Sequence, residues 1–129
     1  MPYFYDTCSI LEYMNGNRKY SHYFEEDYGF LTVLNLMEIY YALLKAHNEE
    51  AADEGYSASS RFLCEFDDAD IKESMKLRLN LRNRGLDISY ADALGYQLSM
   101  KLKVKFLTGD RVFKGLENVE YVRQSSRED

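Results

Sequence analysis

Proline, cysteine and long apolar runs are scarce in this chain of 129 residues. The single proline is Pro2, and no segment is rich in Pro, Gly or Ser, so we expect no internal linker. No apolar run approaches the roughly 18 residues of a membrane span, and no charged-then-apolar leader is present, so we expect neither secretion nor membrane insertion. The two cysteines, Cys8 and Cys64, favour reduced thiols in a cytoplasmic protein and leave one disulfide open as an alternative.

Positive charge is also in short supply. The chain carries 16 basic and 22 acidic residues, which gives a formal net charge of −6. Proteins that bind nucleic acids neutralise phosphates with Lys and Arg, so this total has the wrong sign for that class. It argues against a nucleic-acid binder but leaves room for a local basic face.

Hydrophobic residues make up 46% of the chain, which is enough for a core without disulfides. Strand and helix patterns alternate along the sequence, with four helices predicted between the second and third strands. This alternation predicts an α/β fold with a mostly parallel sheet, in one domain over residues 1–124 with a polar tail at 125–129. The predicted strands are Tyr3–Tyr5, Tyr28–Val33, Leu102–Leu107 and Val119–Val122.

Three carboxylates fall where predicted strands end or helices begin. Asp6 follows the first strand and Asp110 follows the third. Asp92 lies three residues after Ser89, which is a plausible helix N-cap. Because the carboxyl ends of parallel strands share one edge of a sheet, we expect these acids at the same edge.

Glu38 is the fourth acid of the set. It lies three residues after Asn35, so the same spacing predicts Asn35 as the cap of its helix. The helix predicted over Leu34–Leu44 is strongly apolar and is expected to be buried on most sides. An unpaired charge in such a helix is costly, which favours a function for Glu38.

Each acid taken alone is explained by helix capping, which contributes roughly 0.3–1 kcal/mol per residue. Capping does not explain why four carboxylates should converge, because they repel one another. A divalent cation relieves that repulsion, and a set of oxygen ligands suits Mg²⁺ or Mn²⁺. Just after Asp110, Arg111 and Lys114 are the best candidates for contact with a substrate phosphate.

The segments around these acids resemble the PIN-domain nucleases, and more narrowly their VapC-like toxin members. The four segments are YDTCSIL at 5–11, LMEIYYAL at 36–43, SYADAL at 89–94 and LTGDRVF at 107–113. Two positions depart from the family pattern. Cys8 stands where many relatives have Ser or Asn, so a polar contact is expected to be weaker or supplied by the thiol. Gly109 stands where Asn is frequent, so a looser turn is expected.

The resemblance implies a flavodoxin-like, three-layer α/β/α fold and a metal-dependent endoribonuclease that hydrolyses RNA phosphodiesters. It also implies a homodimer and an antitoxin partner, as in a type II toxin–antitoxin pair. Carried over by residue, Asp6, Glu38, Asp92 and Asp110 are the expected catalytic and metal ligands for Mg²⁺ or Mn²⁺. Thr7 and Thr108 are the expected supporting hydroxyls.

Other functions fit less well. A haloacid-dehalogenase-type phosphatase needs a second acid two residues after the first, where Cys8 stands. A receiver-like phosphoacceptor domain needs an acidic pair after the first strand and a lysine after a late strand, and neither is evident. Two further alternatives keep the PIN-like fold: an RNA-processing nuclease without an antitoxin, and a non-catalytic module that binds RNA or protein.

Overall fold

A parallel sheet of four strands forms the centre of the computed structural model, which describes residues 1–125. The strands lie in the order β2-β1-β3-β4, and every neighbouring pair is parallel. The register aligns Tyr5 with Leu107, so the next residues, Asp6 and Thr108, leave the sheet side by side. The strands are β1 (Tyr3–Tyr5), β2 (Gly29–Phe30), β3 (Lys105–Thr108) and β4 (Val119–Tyr121).

Helices cover both faces of this sheet. Side chains alternate along β1, so Tyr3 and Tyr5 enter one core while Phe4 enters the other. The first core packs against α1 to α4, and the second against α5 and α6, which confirms the three-layer α/β/α fold. The helices are α1 (Thr7–Met14), α2 (Ser21–Glu25), α3 (Val33–Ala46), α4 (Glu49–Ser60), α5 (Asp68–Asn83) and α6 (Tyr90–Leu102).

Several predicted boundaries are wrong. The second strand ends at Phe30, because Thr32 caps α3 and the helix begins at Val33. The strand predicted from Leu102 begins at Lys105, because α6 continues to Leu102 and ends on Lys103 in the left-handed conformation, φ 61°. The last strand ends at Tyr121, one residue earlier than predicted.

The prediction that α3 is buried on most sides is also wrong. Its buried face consists of Leu36, Ile39 and Leu43, which recur at helical spacing and pack against the first core. The opposite face stays in solvent, where Met37 is 63% exposed and Tyr41 is 66% exposed. The apolar residues of α3 therefore exceed what the core needs.

The last described residue, Ser125, lies against α1. Ser125 donates hydrogen bonds from its backbone N and its Oγ to Oε1 of Glu12, each 3.1 Å long. Residues 126–129 of the predicted tail lie outside the described part of the chain.

Cys8 and Cys64 are both free thiols, so the alternative of a disulfide is wrong. Within residues 1–125, no helix is long and apolar enough to cross a membrane.

Candidate active site

Asp6 lies at the carboxyl end of β1 and is the most enclosed of the four acids, with 2% of its surface exposed. It caps α1, because its Oδ1 accepts from the backbone N of Ser9 at 2.8 Å. Its Oδ2 accepts from Oγ1 of Thr108 at 2.5 Å, across the aligned ends of β1 and β3. Burial raises the pKa of Asp6 to about 6, although the hydrogen bonds from Thr108 and Ser9 pull it down.

Thr108 connects two of the acids. Besides donating to Asp6, its Oγ1 accepts from the backbone N of Asp110 at 3.0 Å. Oδ1 of Asp110 in turn accepts from the backbone N of Val112 at 3.1 Å and begins the short helical turn Arg111–Phe113. A single buried hydroxyl therefore sets the relative positions of the ends of β1 and β3.

Asp92 lies in the first turn of α6. As predicted, Ser89 is the N-cap, and its side chain accepts from the backbone N of Asp92 at 3.1 Å. The helix lies close against the sheet because Gly95 has no side chain: a Cβ there would be 2.5 Å from Cε1 of Phe4. This packing brings the first turn of α6 to the sheet edge that carries Asp6 and Asp110.

The charges at this edge act on one another. The pKa of Asp92 is raised to about 8, first by burial and then by the negative charges of Asp6, Glu38 and Asp110. The pKa of Asp6 is also raised by the charge of Asp110, in addition to the larger effect of burial. The structure thus brings all four predicted acids within electrostatic reach of one another.

Glu38 arrives at the site differently from the prediction. Thr32, not Asn35, is the N-cap of α3, and Asn35 closes a capping box with it. Glu38 therefore lies in the second turn, on the exposed side of the helix. There its Oε1 accepts from Oγ1 of Thr7 at 2.5 Å, which connects it to the start of α1.

Asn35 is a site residue that sequence reasoning missed. Its Oδ1 accepts from the backbone N of Thr32 at 2.9 Å, and its Nδ2 donates to Oγ1 of Thr7 at 3.1 Å. Because Thr7 must then donate its own proton elsewhere, its hydroxyl is directed to Glu38. The spacing Thr32-x-x-Asn35 is a capping signal that was open to detection in the sequence.

The donor set is compatible with a hard divalent cation. The four acids and two hydroxyls offer only oxygen atoms, which Mg²⁺ and Mn²⁺ prefer. Among residues 1–125, no group of three or more His, Cys, Asp or Glu side chains is close enough together in this structure to hold a metal ion. Mg²⁺ commonly keeps several waters and takes only one or two carboxylates together with substrate phosphate. A cation at this edge would offset the repulsion that raises the pKa of Asp92.

The two predicted phosphate contacts lie beside the acids. Arg111 and Lys114 are exposed and line a cavity of ≈ 680 Å³ next to Asp110. Sequence reasoning missed the other side of this cavity, which comes from the end of β4 and the residues after it. Adjacency of β4 to β3 was the signal that could have found them. The full lining is Gly109, Asp110, Arg111, Lys114, Tyr121, Arg123 and Gln124.

The two departures from the family pattern have structural consequences. A looser turn at Gly109 was expected, and this is wrong: a Cβ there would lie 2.5 Å from Oη of Tyr20 and 2.8 Å from the carbonyl O of Val122. Cys8 is half-buried, and burial together with the charges of Asp6 and Glu12 raises the pKa of its thiol. The backbone N–H of Gly109 lowers this pKa, but burial and the two charges outweigh it.

The fold and the order of these acids agree with the comparison to known families. The family model of the PIN domain matches residues 3–118, which is most of the chain. The protein therefore belongs to the PIN domain family, whose members are nucleases. Among curated proteins, no sequence matches this chain.

Solved structures with the same fold come from bacterial complexes. A chain of the VapBC2 structure from Rickettsia felis, bound to a DNA fragment from the promoter, has a TM-score of 0.72 and 20% identity, over 97% of this chain and 100% of that one. A chain of VapBC-1 from nontypeable Haemophilus influenzae has a TM-score of 0.70 and 14% identity, over 95% of this chain and 98% of that one. A chain of a toxin-antitoxin complex from Klebsiella pneumoniae has a TM-score of 0.69 and 19% identity, over 91% of this chain and 94% of that one. At these identities the likeness concerns the fold.

Proposed function

We propose that the protein is a cytoplasmic endoribonuclease that depends on Mg²⁺ or Mn²⁺ and acts as the toxin of a toxin–antitoxin pair. The observation that carries this proposal is the gathering of four carboxylates from distant parts of the chain at one sheet edge. Capping accounts for the local bonds of Asp6 and Asp110, but it gives no reason for Asp92 to lie where three other charges raise its pKa. A site for a cation gives that reason.

The proposed roles follow from the contacts of each side chain. Asp6, Glu38, Asp92 and Asp110 are the ligands that would hold the cation. When bound, Mg²⁺ or Mn²⁺ polarises a phosphoryl oxygen and lowers the pKa of water. Thr108 fixes the orientation of the Asp6 carboxylate, and Thr7 fixes that of Glu38. Arg111 and Lys114 bind the phosphates of the RNA on the side of Asp110.

The toxin role and the partners are proposed on separate grounds. Three solved structures with this fold are named as toxin–antitoxin or VapBC complexes, which supports an antitoxin for this chain too. The exposed apolar face of α3, which includes Met37 and Tyr41, supports a protein partner. A second copy of the chain and an antitoxin are both proposed as occupants. Measuring the molar mass of the chain alone and after co-expression with the product of the neighbouring gene distinguishes the two.

Cleavage of labelled RNAs in Mn²⁺, Mg²⁺ or EDTA tests the activity directly. We expect cleavage in either metal and none in EDTA, and we expect Asp6→Asn to be inactive. Glu26→Gln is the matched control, because Glu26 is an exposed acid that precedes β2 at the opposite edge of the sheet. Cleavage that survives EDTA or Asp6→Asn contradicts the metal mechanism. A wild-type protein that cleaves no RNA favours the non-catalytic alternative.

A further inference from the structure

The cavity of ≈ 680 Å³ beside Asp110 has a composition that the four-acid site does not explain. Its volume falls within the roughly 300–1,000 Å³ typical of sites for small molecules and cofactors. Three cations line it: Arg111 and Lys114 from the segment after β3, and Arg123 from the segment after β4. The protein as a whole is acidic, with a net charge of −6, so this grouping of cations runs against the overall charge.

None of these three cations forms an ion pair in the described part of the chain, although the carboxylate of Asp110 lines the same cavity. The ion pairs found within residues 1–125 join other groups, and none includes Arg111, Lys114 or Arg123. All three residues are exposed. Cations grouped around a concave surface without neutralising partners provide a binding surface for an anion.

Arg123 is held in place by its neighbours. The carbonyl O of Val122 accepts from Oη of Tyr20 at 2.5 Å, and the backbone N of Val122 donates to the carbonyl O of Thr108 at 2.9 Å. On the other side, Nε2 of Gln124 donates to the carbonyl O of Gly109 at 3.1 Å. The backbone of the residue before Arg123 and the side chain of the residue after it are thus bonded to Thr108 and Gly109, the two residues that precede Asp110. Its position beside the acids follows from these bonds and does not depend on a free tail.

An aromatic ring completes the cavity wall. Tyr121 is the last residue of β4 and is partly exposed, and Nζ of Lys114 lies 5.4 Å from the centroid of its ring. Aromatic side chains next to cations are typical of sites for single-stranded nucleic acid, where bases stack on rings and cations follow the phosphates. A paired base in a duplex is not free to stack in this way.

We infer that this cavity seats one unpaired nucleotide of the RNA strand, directly beside the phosphodiester that is cleaved. Arg111, Lys114 and Arg123 contact its phosphate, and Tyr121 stacks on its base. This inference rests on the proposed function, because Asp110, one of the four acids that would hold the cation at the scissile phosphate, lines this cavity. It assigns to Arg123 and Tyr121 a role in holding the RNA strand that the four-acid site does not supply.

Binding of a fluorescent, unstructured RNA, followed by anisotropy over a range of salt concentrations, tests the inference. The Asp6→Asn protein is used throughout so that the RNA stays intact. In that protein we expect Arg123→Gln and Lys114→Gln each to weaken RNA binding about tenfold, because each substitution removes one charged hydrogen bond. Each should also flatten the slope of log K against log salt by about 0.7, the value for one phosphate contact on a single strand.

Two further variants separate charge from stacking. Tyr121→Leu should weaken binding roughly tenfold without changing the salt slope, whereas Tyr121→Phe, which keeps the ring, should bind like the parent protein. Lys72→Gln is the matched control for loss of charge. Lys72 is exposed on α5 close to Asp70, which bonds to Lys101 at the end of α6 remote from Asp92.

The outcomes are distinct. The inference is overturned if Arg123→Gln and Lys114→Gln behave like Lys72→Gln, or if Tyr121→Leu weakens binding to duplex and single-stranded RNA equally. Unchanged urea midpoints show that each variant is folded. If the variants weaken binding as expected but the wild-type protein cleaves no RNA in Mn²⁺, the nucleotide site stands and the proposed nuclease activity is wrong.

Discussion

Replacing Asp92 with Asn should stabilise the metal-free protein at high pH, because ionisation of the Asp92 carboxyl is unfavourable in the folded state. Its pKa is raised from 3.8 to about 8 by burial and by Asp6, Glu38 and Asp110. A folded-state pKa above the unfolded value means that stability is greatest below about pH 4 and is lost as the pH rises through 8. The wild-type protein in EDTA should therefore lose stability between these limits. The Asp92→Asn protein carries an amide that cannot ionise, so it should keep the stability that the wild-type protein loses through Asp92.

The size of the stability difference between Asp92→Asn and wild type follows from the pKa of Asp92. A shift of this size corresponds to at most about 6 kcal/mol at pH 9. Asp92 remains partly exposed, so solvent screening reduces the difference to roughly 2–3 kcal/mol. The pKa of Asp6, raised to about 6, adds a loss of the same sign at lower pH that both proteins share.

Urea denaturation at pH 5 and pH 9 in EDTA measures this difference, with Glu26→Gln as the matched control. We expect Asp92→Asn to be the more stable protein at pH 9 and the difference to be much smaller at pH 5, because most of the loss occurs between pH 5 and pH 8. Saturating Mn²⁺ should reverse the order at pH 9, because a ligand of the folded state stabilises it by about 2.7 kcal/mol at a hundred times its dissociation constant. If Asp92→Asn is no more stable than wild type at pH 9, the repulsion inferred among the four acids is absent.

Two further substitutions test the contacts around the acids. Thr108→Val removes the hydroxyl that donates to Asp6 and accepts from Asp110, so it should lower the unfolding free energy by about 2–4 kcal/mol in urea denaturation. Thr108→Ser keeps the hydroxyl, and equal losses in the two variants would contradict this reasoning. Gly109→Ala places a methyl group against Oη of Tyr20 and should cost about 1–3 kcal/mol. The same substitution in a Tyr20→Phe protein should cost less, and an equal cost would show that the hydroxyl is not the obstacle.

The positions of Asp6 and Asp110 could be predicted because they depend on two general rules. Alternating strands and helices form a parallel sheet, and the carboxyl ends of parallel strands share one edge. Both acids follow strands that lie next to each other in that sheet. Asp92 could be placed for a similar reason, because Ser89 is a good N-cap and the first turn of a helix after a loop faces the same edge.

The error at Glu38 arose from two equally good caps. Thr32 and Asn35 both suit an N-cap, and local sequence cannot choose between them. The choice is made by Thr7, thirty-one residues from Glu38 along the chain, which needs the amide of Asn35 as a donor. The start of β3 was misjudged for a different reason. The alternation from Leu102 onward resembles that of a strand, but these residues end α6, which is closed by the hydrogen bond from the backbone N of Val104 to the carbonyl O of Ser99.

Arg123 had no local signal at all. It reaches the cavity only because Tyr20, more than a hundred positions away from Val122 in sequence, fastens the chain after β4 to the rest of the protein. Contacts of this kind depend on the completed fold. The acids, together with Arg111 and Lys114, could thus be predicted from motif and topology, whereas the contribution of Arg123 to the proposed nucleotide surface could not.

Titration of Mn²⁺ into the metal-free protein by calorimetry at pH 7 tests the central claim, that the four acids form a cation site. Because the pKa of Asp92 is raised to about 8, this carboxyl is largely protonated at pH 7 and must lose its proton when a cation binds. We predict binding with a net release of protons, measured from the dependence of the heat on the buffer. Asp92→Asn should bind more weakly and release fewer protons. Absence of Mn²⁺ binding by the wild-type protein, or binding with the same affinity and proton release in Asp92→Asn, would contradict the account.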